Sequence, residues 1–165
     1  MSIIFIADPG QHSSQIRAIF WEYLQWANGK IFETYQVDFD IEAILEQNML
    51  EISQFMPPKG RLLLCYPKER PAGMACLKEL SGSIGEIKRM YVRPEYRRQG
   101  LGRALLDRLL AEADEIGYKH IRLDSARFMH EAHMLYRSRG FAEIQAYEGS
   151  EIPPEFQQNW VFMER

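Results

Sequence analysis

A chain of 165 residues, 46% of them hydrophobic and 26% charged, has the composition of an ordinary water-soluble domain, which excludes intrinsically disordered and fibrous proteins. The first apolar stretch, residues 3–7, has no basic residue before it and is too short for a signal peptide or a membrane span. The two cysteines, Cys65 and Cys76, lie in apolar segments, which predicts small buried side chains and no disulfide. We therefore expect a single domain, residues 1–165, in the reducing cytoplasm and away from membranes.

The net charge of −3 is distributed unevenly along the chain. Residues 88–103 include six basic side chains and one acidic side chain, so this stretch carries +5 and leaves −8 for the rest. A concentrated positive stretch in an acidic chain favours an anionic ligand over general attraction to nucleic acid. A solvated basic face is the alternative interpretation of the same residues.

Hydrophobic periodicity and turn-forming residues predict alternating strands and helices. In chain order, these are a strand over 2–7, helices over 13–26 and 40–46, strands over 61–66, 72–80 and 84–92, a helix over 101–116, a strand over 121–124, a helix over 129–139, and strands over 142–147 and 160–163. Ser13 or Ser14 should cap the first helix, which should end near Asn28-Gly29, and Gly117 should end the helix over 101–116. The strands over 61–66 and 72–80 should form a hairpin. This order predicts an α/β (α+β) domain with helices packed on a sheet.

A glycine-containing loop joins the predicted strand over 84–92 to the predicted helix over 101–116. Pro94 stops the strand, and the loop then reads Arg97-Arg98-Gln99-Gly100-Leu101-Gly102-Arg103. Glycines let a ligand approach the backbone, and the first N–H groups of a helix are unpaired, so the segment suits phosphate oxygens. It is not a dinucleotide fingerprint, which needs a glycine where Leu105 stands, and the chain contains no Walker sequence.

Three segments, in this order, resemble the GCN5-related N-acetyltransferase (GNAT) family. They are residues 85–96, the strand and turn before the loop; residues 97–102, which match R/Q-x-x-G-x-G/A; and residues 132–141, which match A-x-x-L-Y-x-x-x-G-F. The resemblance implies the GNAT fold, a twisted, mixed and mostly antiparallel sheet flanked by helices. It also implies an enzyme that transfers an acetyl group from acetyl-CoA to a primary amine of a small molecule or peptide, by direct attack in a ternary complex.

The same resemblance implies where acetyl-CoA is held. The pantetheine arm should lie beside the strand over 84–92 and contact the backbone of Met90, Tyr91 and Val92. The pyrophosphate should lie on the loop, whose expected contacts are Arg97, Arg98, Gln99, Gly100, Leu101, Gly102 and Arg103. A helix N-terminus and charge-assisted hydrogen bonds from arginine both favour such an anion.

Two residues are expected to act in catalysis because they match the family's pattern. Glu86 is the candidate general base, since an alkyl amine with a pKa of about 10.4 is protonated at neutral pH and must lose a proton. Tyr136 is the candidate donor to the sulfur of coenzyme A. Each has a simpler alternative: Glu86, on a half-exposed strand, faces solvent or pairs with a neighbour such as Lys88, and Tyr136 packs its helix against the sheet.

Three features depart from these patterns or fit more than one of them. Met129 stands where many relatives carry an asparagine that contacts the cofactor. His130 and His133 lie one helical turn apart, but the run lacks one residue of the H-E-x-x-H motif and a third ligand, so we expect no metal. Aromatic residues of the N-terminal region either border the acceptor or belong to the core; they are Trp21, Tyr23, Trp26, Phe32 and Tyr35.

The main alternative function is a non-catalytic regulatory module that binds acyl-CoA without turnover. Nucleic-acid binding is the least favoured, because the basic residues cluster at a glycine loop and the rest of the chain is acidic. Assembly into a homodimer and the identity of the acceptor amine stay open.

Overall fold

The chain folds as four α-helices and seven strands over residues 3–165, the part that this computed structural model describes. In chain order, these are β1 (Ile3–Ile6), α1 (Pro9–Tyr35), α2 (Ile41–Leu50), β2 (Arg61–Tyr66), β3 (Gly73–Ser81), β4 (Ile84–Val92), α3 (Leu101–Ile116), β5 (His120–Ala126), α4 (His130–Arg137), β6 (Ala142–Ile144) and β7 (Trp160–Glu164). The predicted order of elements is confirmed. Ser2, the first residue of the predicted N-terminal strand, lies outside the described residues.

All seven strands belong to one sheet, in the order β1-β2-β3-β4-β5-β7-β6. Every neighbouring pair is antiparallel except β4 and β5, which are parallel. The mixed, mostly antiparallel sheet is therefore as predicted, and so is the hairpin of β2 and β3.

Helices cover both faces of the central strands, so these strands are apolar on both sides. In β2, Leu63 packs with Leu105 of α3, whereas Leu62 and Leu64 pack with Phe20 of α1 on the opposite face. Side chains that alternate between two buried faces explain why residues 62–65 form an unbroken apolar run. Among residues 3–165, no helix is both long enough and apolar enough to cross a membrane.

Helix α1 is longer at both ends than its sequence pattern predicts. It begins at Pro9, where the Asp8 carboxylate accepts the Gly10 N–H at 2.8 Å, so the predicted serine caps are wrong. It also continues through Asn28-Gly29 and ends at Gln36, which has a left-handed backbone (φ 57°). Asn28 does not stop the helix because its side chain bonds outward, donating to Asp38 and accepting the N–H of residue 39.

Strand β6, the last but one in the chain, is shorter than predicted. It ends at Ile144 rather than Tyr147, because Tyr147 turns inward and donates its hydroxyl to Glu86 at 2.7 Å. By contrast, α3 has its predicted bounds, and Gly117 ends it in the left-handed conformation (φ 97°). Strong periodicity with a glycine stop is sufficient to define α3, whereas the end of β6 depends on a contact with a distant strand.

Two glycines, Gly29 within α1 and Gly117 at the end of α3, provide a test of the course of α1. A Cβ at Gly29 or Gly117 would meet no atom within 4 Å, so backbone conformation alone separates the two sites. Gly29→Ala should raise the free energy of unfolding by roughly 0.5–1 kcal/mol, because alanine is the better helix former. Gly117→Ala should lower it by about 1–2 kcal/mol, because its backbone is left-handed. Urea denaturation followed by circular dichroism measures both changes, and a loss of stability in Gly29→Ala would contradict a helix through residue 29.

Candidate active site

The site begins where β4 parts from β5. The two strands pair only over Ile84–Glu86 and His120–Arg122, and beyond Glu86 strand β4 has no partner on the β5 side. On its other side, β4 places two residues, Arg89 and Met90, opposite the single residue Ala75 of β3, which is a β-bulge. Arg89 in this bulge has a left-handed backbone (φ 51°). Because a bulge bends and twists a strand, it directs the end of β4 away from β5 and opens a gap in the sheet.

A cavity of about 490 Å³ lies against this gap, between the sheet, α1, α2 and residues 151–153. Its volume is within the ~300–1,000 Å³ range of sites that enclose small molecules. One part is polar and is lined by Asn48, Lys78, Lys88, Arg89, Asp124 and Glu151. The other part is apolar, and five of its lining residues belong to one hydrophobic cluster: Ile31, Phe39, Met129, Ile152 and Trp160. The cavity therefore suits a ligand with one polar end and one apolar end.

Tyr136 of α4 lies at the gap and lines the cavity. Its ring packs on Phe141, with centroids 5.8 Å apart, and its hydroxyl is 3.7 Å from the sulfur of Met90 on β4. The side chain is buried, and the loss of solvation raises the pKa of the Tyr136 phenol well above its usual value. The ring of Tyr136 thus packs in the core while its hydroxyl lies at the gap. The residue can pack its helix and also act as a hydrogen-bond donor, so the two interpretations do not exclude each other.

Glu86 is fully buried, which makes the expected half-exposed position wrong. The side chain is not among the cavity-lining residues and lies behind them. One carboxylate oxygen accepts the Tyr147 hydroxyl at 2.7 Å, and the other has no hydrogen-bond partner among the described residues. Lys88 and Lys78 are 3.6 and 3.8 Å from this second oxygen. Burial raises the pKa of Glu86, and Lys88 and the Tyr147 hydrogen bond only partly oppose this effect.

The bulge places two basic side chains among acids that the sequence analysis missed. Lys88 donates to Asp124 of β5 at 2.8 Å. Arg89 forms two hydrogen bonds with the Glu151 carboxylate, at 2.7 and 3.1 Å, and its Nε donates to Asn48 of α2 at 2.7 Å. These partners come from three distant segments, and no local sequence pattern identifies them.

The basic stretch is therefore not one positive surface, as its composition suggested. Besides Lys88 and Arg89, Arg93 is neutralised, because it makes two hydrogen bonds of 2.7 Å with Glu22 of α1. The Arg97 guanidinium lies 4.6 Å from the centroid of the Trp26 ring and donates to the backbone oxygen of residue 92. Arg98 and Arg103 are exposed, so they are the basic side chains that face solvent at the loop.

The loop before α3 has the backbone geometry of an anion cradle. Gly100 is the N-cap residue and has a left-handed conformation (φ 81°), and the first backbone hydrogen bond of the helix runs from Ala104 to Gly100. Within the described chain, the N–H groups of Leu101, Gly102 and Arg103 have no acceptor. Three unpaired N–H groups at the positive end of a 16-residue helix suit a diphosphate.

Other candidate residues divide between the site and the core. Met129 lines the cavity, and its sulfur accepts the Ser125 hydroxyl at 3.7 Å. His133 is buried, with Nε2 3.0 Å from the same hydroxyl, and burial lowers the pKa of this histidine. No group of three potential metal ligands occurs among residues 3–165. Of the N-terminal aromatic residues, Tyr23 lines the cavity, whereas Phe32 is exposed and Trp26 packs beneath Arg97.

Comparison with known proteins agrees with this geometry. The acetyltransferase (GNAT) family matches residues 14–141. The chain belongs to the GNAT acetyltransferase family. It is 26% identical over 145 residues to an uncharacterized N-acetyltransferase of Schizosaccharomyces pombe, a match that covers 87% of this chain and 84% of that protein. It is 31% identical over 116 residues to the uncharacterized N-acetyltransferase YsnE of Bacillus subtilis, covering 69% of this chain and 74% of the other.

Solved GNAT structures share the fold. The crystal structure of PaiA N-acetyltransferase from Thermoplasma acidophilum in complex with coenzyme A matches with a TM-score of 0.76. The match covers 100% of this chain and 98% of that chain, at 16% sequence identity. The family match and the N-acetyltransferase relatives make this GNAT enzyme an acetyl-CoA-dependent N-acetyltransferase, which favours the enzyme over the non-catalytic module.

Arg98 and Arg97 provide a matched test of the loop. Arg98→Ala should weaken coenzyme A binding by about three- to tenfold at low ionic strength and by less at high ionic strength, because an exposed charge is screened by salt. Arg97→Ala should change the affinity less, because its guanidinium is already engaged with Trp26. Calorimetric titration at two salt concentrations measures both. A larger and more salt-sensitive loss in Arg97→Ala would place the anion elsewhere.

Proposed function

We propose that this GNAT enzyme acetylates the primary amine of a small molecule, by direct attack in a ternary complex with acetyl-CoA. The main support for this proposal is the cavity against the gap between β4 and β5, because its volume suits a small acceptor. A peptide amine is the second candidate, and it would need to enter the same cavity end-on. All of the proposed machinery lies in one domain, residues 1–165.

The residues at the gap fit acetyl-CoA. The unpaired N–H groups of α3 and the exposed Arg98 and Arg103 would bind the pyrophosphate, together with the backbone of Arg97 and Gly100 and the side chain of Gln99. The unpartnered edge of β4 at Met90, Tyr91 and Val92 would hold the pantetheine arm, and one of these N–H groups would polarise the thioester carbonyl. When bound, acetyl-CoA supplies the acetyl group as a thioester.

Glu86 is the proposed proton acceptor. Burial raises the pKa of Glu86 toward neutral pH, and a general base is more effective when its pKa is near the working pH. Because Glu86 lies behind Lys88 rather than at the cavity wall, the proton must be relayed to it from the amine. Asp124 lines the cavity directly and is the alternative acceptor.

Tyr136 is the proposed donor to the leaving sulfur. Its hydroxyl already lies beside Met90 at the gap. The raised pKa makes full ionisation of the phenol unfavourable, so the proposed role is a hydrogen bond to the developing thiolate rather than complete proton transfer.

A turnover screen tests the proposed function. Acetyl-CoA should raise the melting temperature of the enzyme, and release of free coenzyme A should depend on a small primary amine and be weaker with short peptides. Tight binding of acetyl-CoA without transfer to any amine in the panel would contradict the proposal.

With an acceptor identified, Tyr136→Phe should lower kcat by about ten- to a hundredfold with little change in coenzyme A affinity, since the hydroxyl acts only as charge develops. Tyr118→Phe is the matched control, because it also removes a phenol hydroxyl that donates inside the protein, to the backbone oxygen of residue 59, outside the cavity. The control should keep its kcat. An equal change of kcat in the two variants would mean that Tyr136 acts only in packing.

The pH dependence distinguishes the two candidate bases. Since Glu86 accepts a proton only above its raised pKa, kcat/KM of the wild type should fall as the pH drops through that value. Tyr147→Phe removes a hydrogen bond that favours the carboxylate, so this acidic limb should move to higher pH. Glu86→Gln should remove the limb, and its rate deficit should shrink as the pH approaches the amine's own pKa of about 10.4.

Steady-state rates across the pH range, for both variants and the wild type, provide the measurement. If the acidic limb keeps its position in Tyr147→Phe and persists in Glu86→Gln, Glu86 is not the base and Asp124 takes its place.

A further inference from the structure

Arg89 presents a guanidinium to the polar end of the cavity in an unusual setting. Its side chain is only 10% exposed, and its left-handed backbone in the β4 bulge sets its direction. Asn48, a buried neutral residue, fixes Nε and leaves the outer nitrogens for a carboxylate. In the free enzyme, these two nitrogens bind Glu151. The planar guanidinium is therefore held in position for a two-point contact with a carboxylate.

The acids around the cavity differ in how firmly each is paired. Lys88 binds Asp124, whose side chain is 8% exposed, and both Lys88 and Lys78 lie within 3.8 Å of the fully buried Glu86. Glu51 is exposed and accepts a hydrogen bond from Gln47 on its own helix. These contacts leave Glu151 as the acid that compensates Arg89.

Glu151 differs from the other paired acids in being accessible. Its side chain is 44% exposed, and it lies between β6 and β7 in a segment without regular secondary structure. Although burial opposes ionisation, Arg89 and Lys88 lower the pKa of Glu151 to about 2, so it is a carboxylate at any ordinary pH. A carboxylate of a ligand in the cavity could take the place of the Glu151 carboxylate, so that Arg89 is never left buried and unpaired.

We propose that Arg89 binds a carboxylate of the acceptor, and that Glu151 occupies this position until the acceptor enters. The inference rests on the proposed function and narrows its substrate class to an amine that also bears a carboxylate and an apolar body. Arg89 and Tyr136 line the same cavity, so one small molecule can bring its carboxylate to Arg89 and its amine to the gap, as an amino acid would.

The apolar part of the cavity adds to the affinity. A carboxylate enclosed in the cavity is less screened by water than that of Glu151, which is 44% exposed, so its contact with Arg89 is the stronger of the two, and burial of the acceptor's body adds a further gain. Phe39 and Trp160 form the aromatic wall, with ring centroids 6.5 Å apart, and Ile44 and Met129 add aliphatic surface. An aromatic or branched aliphatic side chain fits these walls better than a polar one.

Binding to the enzyme saturated with coenzyme A tests the inference without requiring turnover. The ligands are two pairs that differ only in a carboxylate: phenylalanine against phenethylamine, and leucine against 3-methylbutylamine. In calorimetric titrations, the carboxylate member of each pair should bind about ten- to a hundredfold more tightly to the wild type. Equal affinity within both pairs would overturn the inference.

Two variants identify the groups responsible. Glu151→Gln should tighten the carboxylate members by up to about tenfold, because a competing anion is removed, and should leave the simple amines unchanged. Glu22→Gln is the matched control, since Glu22 is 40% exposed and also accepts two hydrogen bonds from an arginine, Arg93 directly after β4, but lies outside the cavity. Arg89→Gln should abolish the preference within each pair.

The outcomes separate this inference from the proposed function. Transfer to simple amines with no preference for a carboxylate would overturn the inference and keep the acetyltransferase mechanism. A preference that survives Arg89→Gln in a folded protein, or that changes equally in Glu22→Gln and Glu151→Gln, would also overturn it. Selective binding of the carboxylate members without transfer would support the inference and contradict the proposed function.

Discussion

The parting of β4 from β5 is the constraint on which the rest of this structure depends. A parallel pair normally continues its hydrogen bonds to the end of the shorter strand, yet here pairing ends after Glu86. The β-bulge at Arg89 bends β4 while β3 holds its other edge, so the sheet opens without losing its core. Backbone groups that would otherwise pair with β5 become available to a ligand, and Tyr136 reaches the opening from α4.

The open sheet also carries charged side chains in its buried interior. Glu86, Lys88 and Asp124 lie on one buried face of neighbouring strands, where each isolated charge would carry a large desolvation cost. Mutual pairing offsets this cost, and Tyr147 adds a hydrogen bond to the carboxylate of Glu86. A network of this kind is poorly suited to stabilising a fold, since apolar residues would pack there at lower cost, but it is well suited to handling a proton.

The sequence predicts this architecture well wherever a pattern is local. The bounds of β2, β4 and α3 agree with those expected, because each has a clear apolar pattern and a glycine or proline at or near its end. The site is less predictable. Met90 and Tyr136 can be located through family motifs, but Asn48, Asp124 and Glu151 come together only through tertiary packing. Glu86 illustrates the limit, since a charged residue in a strand gives no indication that helices will cover both faces.

The gap and much of the apolar cavity wall are built from different parts of the chain. The strand, loop and helix at the gap lie between residues 84 and 137, whereas much of the apolar wall comes from α1, α2 and the segment that includes residues 151–160. Changes in that wall leave the backbone hydrogen bonds of β4 and α3 intact. Gene duplication followed by drift in these outer segments would therefore yield enzymes with new acceptors and an unchanged donor half, and grafting the same segments between homologues is the corresponding route for engineering.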